Sequence, residues 1–217
     1  MEIIVDNLTK KFKKVTVLDN INMKFESGKI YGIVGRNGSG KSVFLKILCS
    51  FYKPTTGNVY FDNKNYNFNN SFPPSTRALI ERPIFFPDLT GFENLKLLSS
   101  IQNKISDEDI LHTLEEVNLI NEKDKKYNEY SLGMQQKLAI AQVLMENPDV
   151  MILDELFNGI EEATVIKIRE LLLNLKSKNK IIILTSHIKE DIDTLSDEVY
   201  KFDGGKVERI KWKMILS

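Results

Sequence analysis

Of the 217 residues only one, Cys49, is a cysteine. It can form no internal disulfide, which points to a reducing compartment. Net charge is also missing. Thirty Lys and Arg balance thirty Asp and Glu, whereas a general nucleic-acid coat is basic, so no nucleic-acid partner is expected. Long apolar runs are absent. Stretches such as Ile181-Ile182-Ile183-Leu184 fall far short of the ~18 residues that a membrane span requires. No charged start precedes an apolar stretch and a small-residue cleavage site, so no secretory signal is expected. There is no internal repeat and no low-complexity linker. The expectation is a soluble, cytosolic chain that leaves any membrane spanning to other subunits.

What is present is an ordinary apolar fraction of 42%, enough for the core of one sizeable domain. Glu2 to Val5, Met23 to Phe25, Ile30 to Val34 and Gly57 to Phe61 read as strands. Ser27-Gly28 reads as a turn. Val43, Phe44, Ile47 and Leu48 have helical spacing from Lys41 onward. Asn63 to Pro74 is polar and reads as loop. From about Glu93 to Asn128 the apolar residues, Ile101 among them, recur at helical spacing, and Ser106 with Asp109 resembles a capping box. The remainder alternates: helix (Met134 to Glu146), strand (Val150 to Leu153), helix (Ala163 to Leu175), strand (Ile181 to Thr185), helix (Lys189 to Leu195). Asp203-Gly204-Gly205 reads as a hairpin turn between two last strands, and Trp212 is expected to pack on an end strand. The alternation predicts an α/β fold with a mainly parallel sheet core. The expected extras are an antiparallel N-terminal β-region and an inserted helical subdomain. The proposed split places residues 1–85 and 147–217 in a catalytic core and about 86–146 in the helical part.

Residues 35–42, GRNGSGKS, follow a strand and open a helix. Gly35, Gly38 and Gly40 let backbone N–H groups wrap phosphate oxygens. The helix start adds its positive dipole end. Lys41 contributes a point charge, and Ser42 offers a hydroxyl to Mg²⁺. The alternative, a chance glycine-rich turn, leaves the filled G-x-x-x-x-G-K-S pattern unexplained. Asp154 ends a buried-type strand, where open parallel sheets bind ligands, and is expected to support Mg²⁺. Glu155 is placed to polarise the attacking water. His187 ends the next strand and is expected to reach the γ-phosphate and orient water. His112 lacks such a context and is expected at the surface.

Together with Tyr130-Ser131-Leu132-Gly133-Met134, these motifs resemble an ATP-binding-cassette ATPase, the nucleotide-binding subunit of an ABC transporter, over about Asp6 to Val207. The resemblance implies that Arg36, Asn37, Ser39 and Val43 join the nucleotide site and that Phe12 stacks on adenine. It also implies a head-to-tail pair, homodimer or heterodimer. Ser131 and Gly133 then complete the opposite site, and membrane-spanning permease subunits hold the pair at the inner face of the cell membrane. Glu81, where most of the family has glutamine, followed by FFPDLTGFENL and SLGM, resembles the bacitracin-resistance and lantibiotic-immunity exporters. An acid there is expected to approach Mg²⁺ or the attacking water.

Beyond Glu155 the pattern departs. Leu156-Phe157 stands for Pro-Thr, and Glu161 for aspartate. Loss of the proline is expected to free the backbone and to put subunit coupling in doubt. Leu132 and Met134 replace a small and a polar signature residue. Two rivals follow: a cassette ATPase outside transport, of the iron–sulfur assembly type, and a non-hydrolysing regulatory cassette. Lys10 to Lys14 carries four lysines and reads as a solvated basic turn.

Overall fold

Side-chain alternation explains the layering. The computed structural model describes residues 1–65, 72–81 and 83–211. β1 (Glu2–Phe12) and β2 (Val15–Glu26) form a long hairpin joined antiparallel to β4 (Thr56–Phe61) and the short β5 (Lys64–Asn65), in the order β2-β1-β4-β5. The second sheet runs β10-β9-β3-β8-β7-β6, from β3 (Lys29–Gly35), β6 (Thr76–Leu79), β7 (Val150–Leu153), β8 (Ile181–Thr185), β9 (Glu198–Asp203) and β10 (Lys206–Ile210). All its pairings are parallel except β9 with β10.

β7 and β8 are buried at every residue because both faces of the sheet are covered. Ile181 and Ile183 pack with Phe25 and Phe44 toward the antiparallel sheet, while Ile182 and Leu184 pack with Leu138, Ile168 and Leu172 on the helical side. Truncating such a side chain to alanine costs about 2–5 kcal/mol. Cys49 is buried as well, and burial pushes its thiol up to about 12.

The helices are α1 (Lys41–Leu48), α2 (Gly91–Ser99), α3 (Asp107–Glu116), α4 (Leu132–Leu144), α5 (Glu162–Ser177) and α6 (Lys189–Leu195). α2 and α3 both start in capping boxes, Thr90 with Glu93 and Ser106 with Asp109. Each box satisfies two otherwise orphaned N–H groups. The buried Asn94 donates to the carbonyls of Phe86, Leu89 and Thr90 and accepts from Phe86 N–H. It thereby fixes the segment leading into α2. The core between α2, α3 and α4 is continuous with that of the parallel sheet: Leu95, Ile110 and Leu138 join Met151 and Ile182 in one cluster.

Three local differences from the sequence reading have simple causes. β6 was not anticipated, since TRAL lacks an apolar alternation; it forms because its backbone completes the edge beside β7. β5 interrupts the expected Asn63–Pro74 loop by pairing with β4, and residues 66–71 of that segment lie outside the described residues. Ile101 sits past the end of α2 and is 77% exposed, so its helical spacing with Leu97 and Leu98 is coincidental. The placement expected for Trp212 also lies outside the described residues.

Candidate active site

Four adjacent parallel strands, β3, β8, β7 and β6, end at the same edge. Their following loops carry the phosphate loop, His187, the Asp154–Glu155 pair and Glu81 respectively. Residues as distant in sequence as Lys41 and His187 are thus gathered by strand order.

Gly40 caps α1 with φ 106°, a left-handed conformation that side chains resist. A Cβ there would stand 2.8 Å from Leu18 Cδ2. Lys41 is buried, and its Nζ donates to the carbonyls of Gly35 (2.7 Å) and Arg36 (3.1 Å). Ser39 Oγ is buried without a partner in the same loop. Ser42 Oγ lies 3.1 Å from Asp154 Oδ2, while Thr185 Oγ1 donates to Asp154 Oδ1 at 2.6 Å. The same Thr185 oxygen accepts from Glu155 N–H at 2.9 Å, so one hydroxyl ties the Asp154 carboxylate to the Glu155 backbone. The role of Thr185 was missed in the sequence reading; the only signal is a hydroxyl residue closing an aliphatic strand. Glu155 adopts φ 52°, and its Oε1 lies 3.2 Å from His187 Nε2.

Glu81, Leu132, Gln136, Asp154, Glu155 and Asn158 line a cavity of about 200 Å³. The Glu81 carboxylate reaches Lys46 Nζ at 2.5 Å. The Ser42–Asp154 pair is an all-oxygen donor set, the hard chemistry that suits Mg²⁺. Among the described residues no group of three or more His, Cys, Asp or Glu could cage a metal. The fit is therefore to an ion completed by phosphate oxygens and water.

Phe12 lies at the tip of the β1–β2 hairpin, 38% exposed, edge-on to Tyr52 at 5.4 Å and with Lys10 Nζ 4.7 Å above its ring. Ser131 caps α4 and accepts from Met134 N–H, and a Cβ on Gly133 would meet the Gly159 carbonyl at 2.8 Å. Within this one chain neither is bonded to the phosphate loop. His112 is exposed, as its context suggested, and so are Lys11, Lys13 and Lys14 of the basic turn.

The ABC transporter family model matches residues 18–158. This chain belongs to the ABC transporter family. An uncharacterized ABC transporter ATP-binding protein, YybJ of Bacillus subtilis (strain 168), is 44% identical over 202 residues, 93% of either chain. The bacitracin transport ATP-binding protein BcrA of Enterococcus faecalis is 36% identical over 97% of this chain and 70% of its own. A dimeric ATP-binding cassette solved in a post-hydrolysis state with ADP and phosphate superposes with a TM-score of 0.86 at 26% identity, covering 95% of this chain and 97% of the other. The chain is accordingly the ATP-binding subunit and ATPase of an ABC transporter, with the mixed α/β cassette fold.

Within the cassette, the loop after Glu155 corrects one expectation. Its backbone is not freed by the missing proline. Leu156 and Phe157 are buried, Gln136 Nε2 donates to Leu156 O at 2.9 Å, and Arg169 lies 5.9 Å from the Phe157 ring centroid. Glu161 is bound within its own chain by Lys137, and Thr164 Oγ1 donates to it at 2.7 Å. These partners, Lys137 foremost, hold the Glu161 carboxyl at about 2, below its ordinary 4.5. A depressed folded-state value means that the stabilisation is complete above about pH 4.5 and is lost as the pH falls through about 2. The carboxylate is half exposed, so solvent screening limits the effect. Glu161→Gln is expected to cost about 1 kcal/mol at pH 7. In urea titrations the gap from the parent should narrow steadily below pH 4.5; a pH-independent gap would contradict the assignment.

Proposed function

We propose that two cassettes, identical or different, close head to tail on two ATP and drive permease subunits that export a peptide antibiotic or similar drug. The observation that carries the export reading is the likeness to the bacitracin transport subunit along nearly the whole chain. Residues 1–85 and 147–217 form the catalytic core in this reading, and about 86–146 a helical subdomain that presents Ser131 and Gly133 to the partner's nucleotide. The assembly sits on the cytoplasmic face of the membrane. Among the described residues no helix is long and apolar enough to cross it.

In the reaction, N–H groups of Gly35 through Val43, including Arg36, Asn37, Gly38, Ser39 and Gly40, hold the phosphates. Lys41 exchanges its carbonyl partners for phosphate oxygen, and Phe12 offers a stacking face to adenine. Ser42 and Asp154 would hold Mg²⁺, which neutralises charge developing on the phosphoryl oxygens. Glu155 orients and deprotonates the attacking water, and His187, against the Glu155 carboxylate, positions it toward the γ-phosphate. Glu81 stands at the cavity mouth, where an acid can bond water or a metal-bound water. The test is export: membranes holding the cassette and its permease should clear bacitracin in an ATP-dependent way, and Glu155→Gln should stop it. Equal clearance by the variant would refute the reading.

Phe51 and Phe72, 58% and 78% exposed, line one cavity with Cys49 and Gln102. Such apolar exposure marks an interaction surface, and we assign it to the permease. Phe51→Asp is expected to reduce co-purification with the permease about tenfold while the isolated cassette keeps its ATP turnover. Undiminished co-purification would remove Phe51 from the interface.

A further inference from the structure

Three carboxylates, Glu81, Asp154 and Glu155, line one small cavity, and like charges so close repel unless cations or hydrogen bonds offset them. The Asp154 carboxylate has the Ser42 and Thr185 hydroxyls, and the Glu155 carboxylate has His187. Glu81 has Lys46, whose Nζ lies 2.5 Å from its Oε1. The Glu81 backbone is left-handed, with φ 63°, a conformation that is unfavourable for a non-glycine residue. The Lys46 contact is one interaction that offsets that cost.

Lys46 also has an aromatic side. Its Nζ lies 5.7 Å from the Tyr52 ring centroid, and Tyr52 meets Phe12 edge-on at 5.4 Å. Only 19% of the Lys46 side chain is exposed, against 69% for Glu81. The cation is therefore the more buried member of the pair and the carboxylate the more exposed one. Lys46 extends from α1, the helix that begins with Lys41 and Ser42, so its position follows that of the phosphate loop.

We infer that Lys46 is a positioning residue that sets the Glu81 carboxylate at the mouth of the Asp154–Glu155 cavity and links it, through Tyr52, to the adenine-side ring of Phe12. The inference rests on the proposed role of Glu81 in hydrolysis. An exposed ion pair contributes little to stability; its value here is placement, since small misplacements of a reacting group cost large factors in rate. The Lys46 pKa is raised, chiefly by its hydrogen bond to Glu81, so the ammonium stays charged at neutral pH.

The test combines Lys46→Met, Lys46→Arg, Glu81→Ala and the Lys46→Met/Glu81→Ala double variant in the full chain. Turnover of Lys46→Met should fall about tenfold with ATP half-saturation little changed, and Lys46→Arg should restore most of it. The double variant should be no worse than Glu81→Ala alone, because Lys46 acts only through Glu81. Without nucleotide or metal, amide exchange in the peptide containing Glu81 should be about threefold faster or more in Lys46→Met, with α1 exchange and melting temperature unchanged. Losses that multiply in the double variant, or faster exchange confined to α1, would make Lys46 merely structural and overturn the inference. Parental turnover in Glu81→Ala would instead remove the role of Glu81, a failure of the underlying reading that the exchange measurement separates from failure of the Lys46–Glu81 contact.

Discussion

Glu155→Gln is expected to lower ATP turnover by about 100-fold or more while ATP affinity stays within a few fold. The carboxylate lies in the cavity with Asp154 but takes no part in the Ser42–Asp154 pair. Its removal therefore spares the groups proposed to hold nucleotide and metal. What is lost is the base. Glutamine keeps the shape and still accepts a hydrogen bond through its amide oxygen, but it cannot take the proton from water. The Glu155 N–H bond to Thr185 is made by the backbone and survives the substitution, so the loop should hold its geometry. Phosphate release measures the rate, fluorescent ATP binding the affinity, and the mass in solution the pairing. A variant that binds ATP, fails to turn it over and accumulates as a nucleotide-dependent dimer would support both the base and the composite site. Turnover close to the parent rate would sink the assignment of Glu155.

Lys41→Ala should act one step earlier, weakening ATP binding about 100-fold. The ammonium is buried and held by the Gly35 and Arg36 carbonyls at the phosphate loop, so it meets the phosphates with little reorganisation. A charge-assisted bond in such a setting accounts for about 1.5–3 kcal/mol. Turnover should be lost at any concentration that leaves the site empty, and saturating ATP should recover only part of it. The distinction from Glu155→Gln is in binding: one variant should retain the nucleotide without hydrolysing it, the other should fail to retain it. Tight binding by Lys41→Ala would mean that the backbone N–H groups alone carry the phosphates.

Much of this was legible before any coordinates. β7 and β8 follow the expected bounds to the residue, because an uninterrupted aliphatic run between polar turns has few alternatives, and the polar helix α6 does so as well. The Ser106–Asp109 cap was visible from two side chains that satisfy each other locally. The edge strand β6 was not, since TRAL pairs through backbone groups that any sequence possesses. Ile101 misled because period alone does not show where a helix ends. The loop after Glu155 misled for another reason. Absence of proline describes the unfolded chain's freedom, whereas burial of Leu156 and Phe157 describes the folded state.

By itself, the sequence determined the chemistry available to this protein: a glycine-rich turn ahead of Lys41 and Ser42, acids and a histidine closing aliphatic strands, and a signature helix start. These are local facts, set by residue type and spacing. Only the tertiary structure decided which groups meet. The β3-β8-β7-β6 order brings four distant loops to one edge. It sets Thr185 between two acids and Glu81 against Lys46 on another element. The physical reason is that strand order is chosen by burial of both sheet faces over the whole chain, and no short stretch of sequence contains that information.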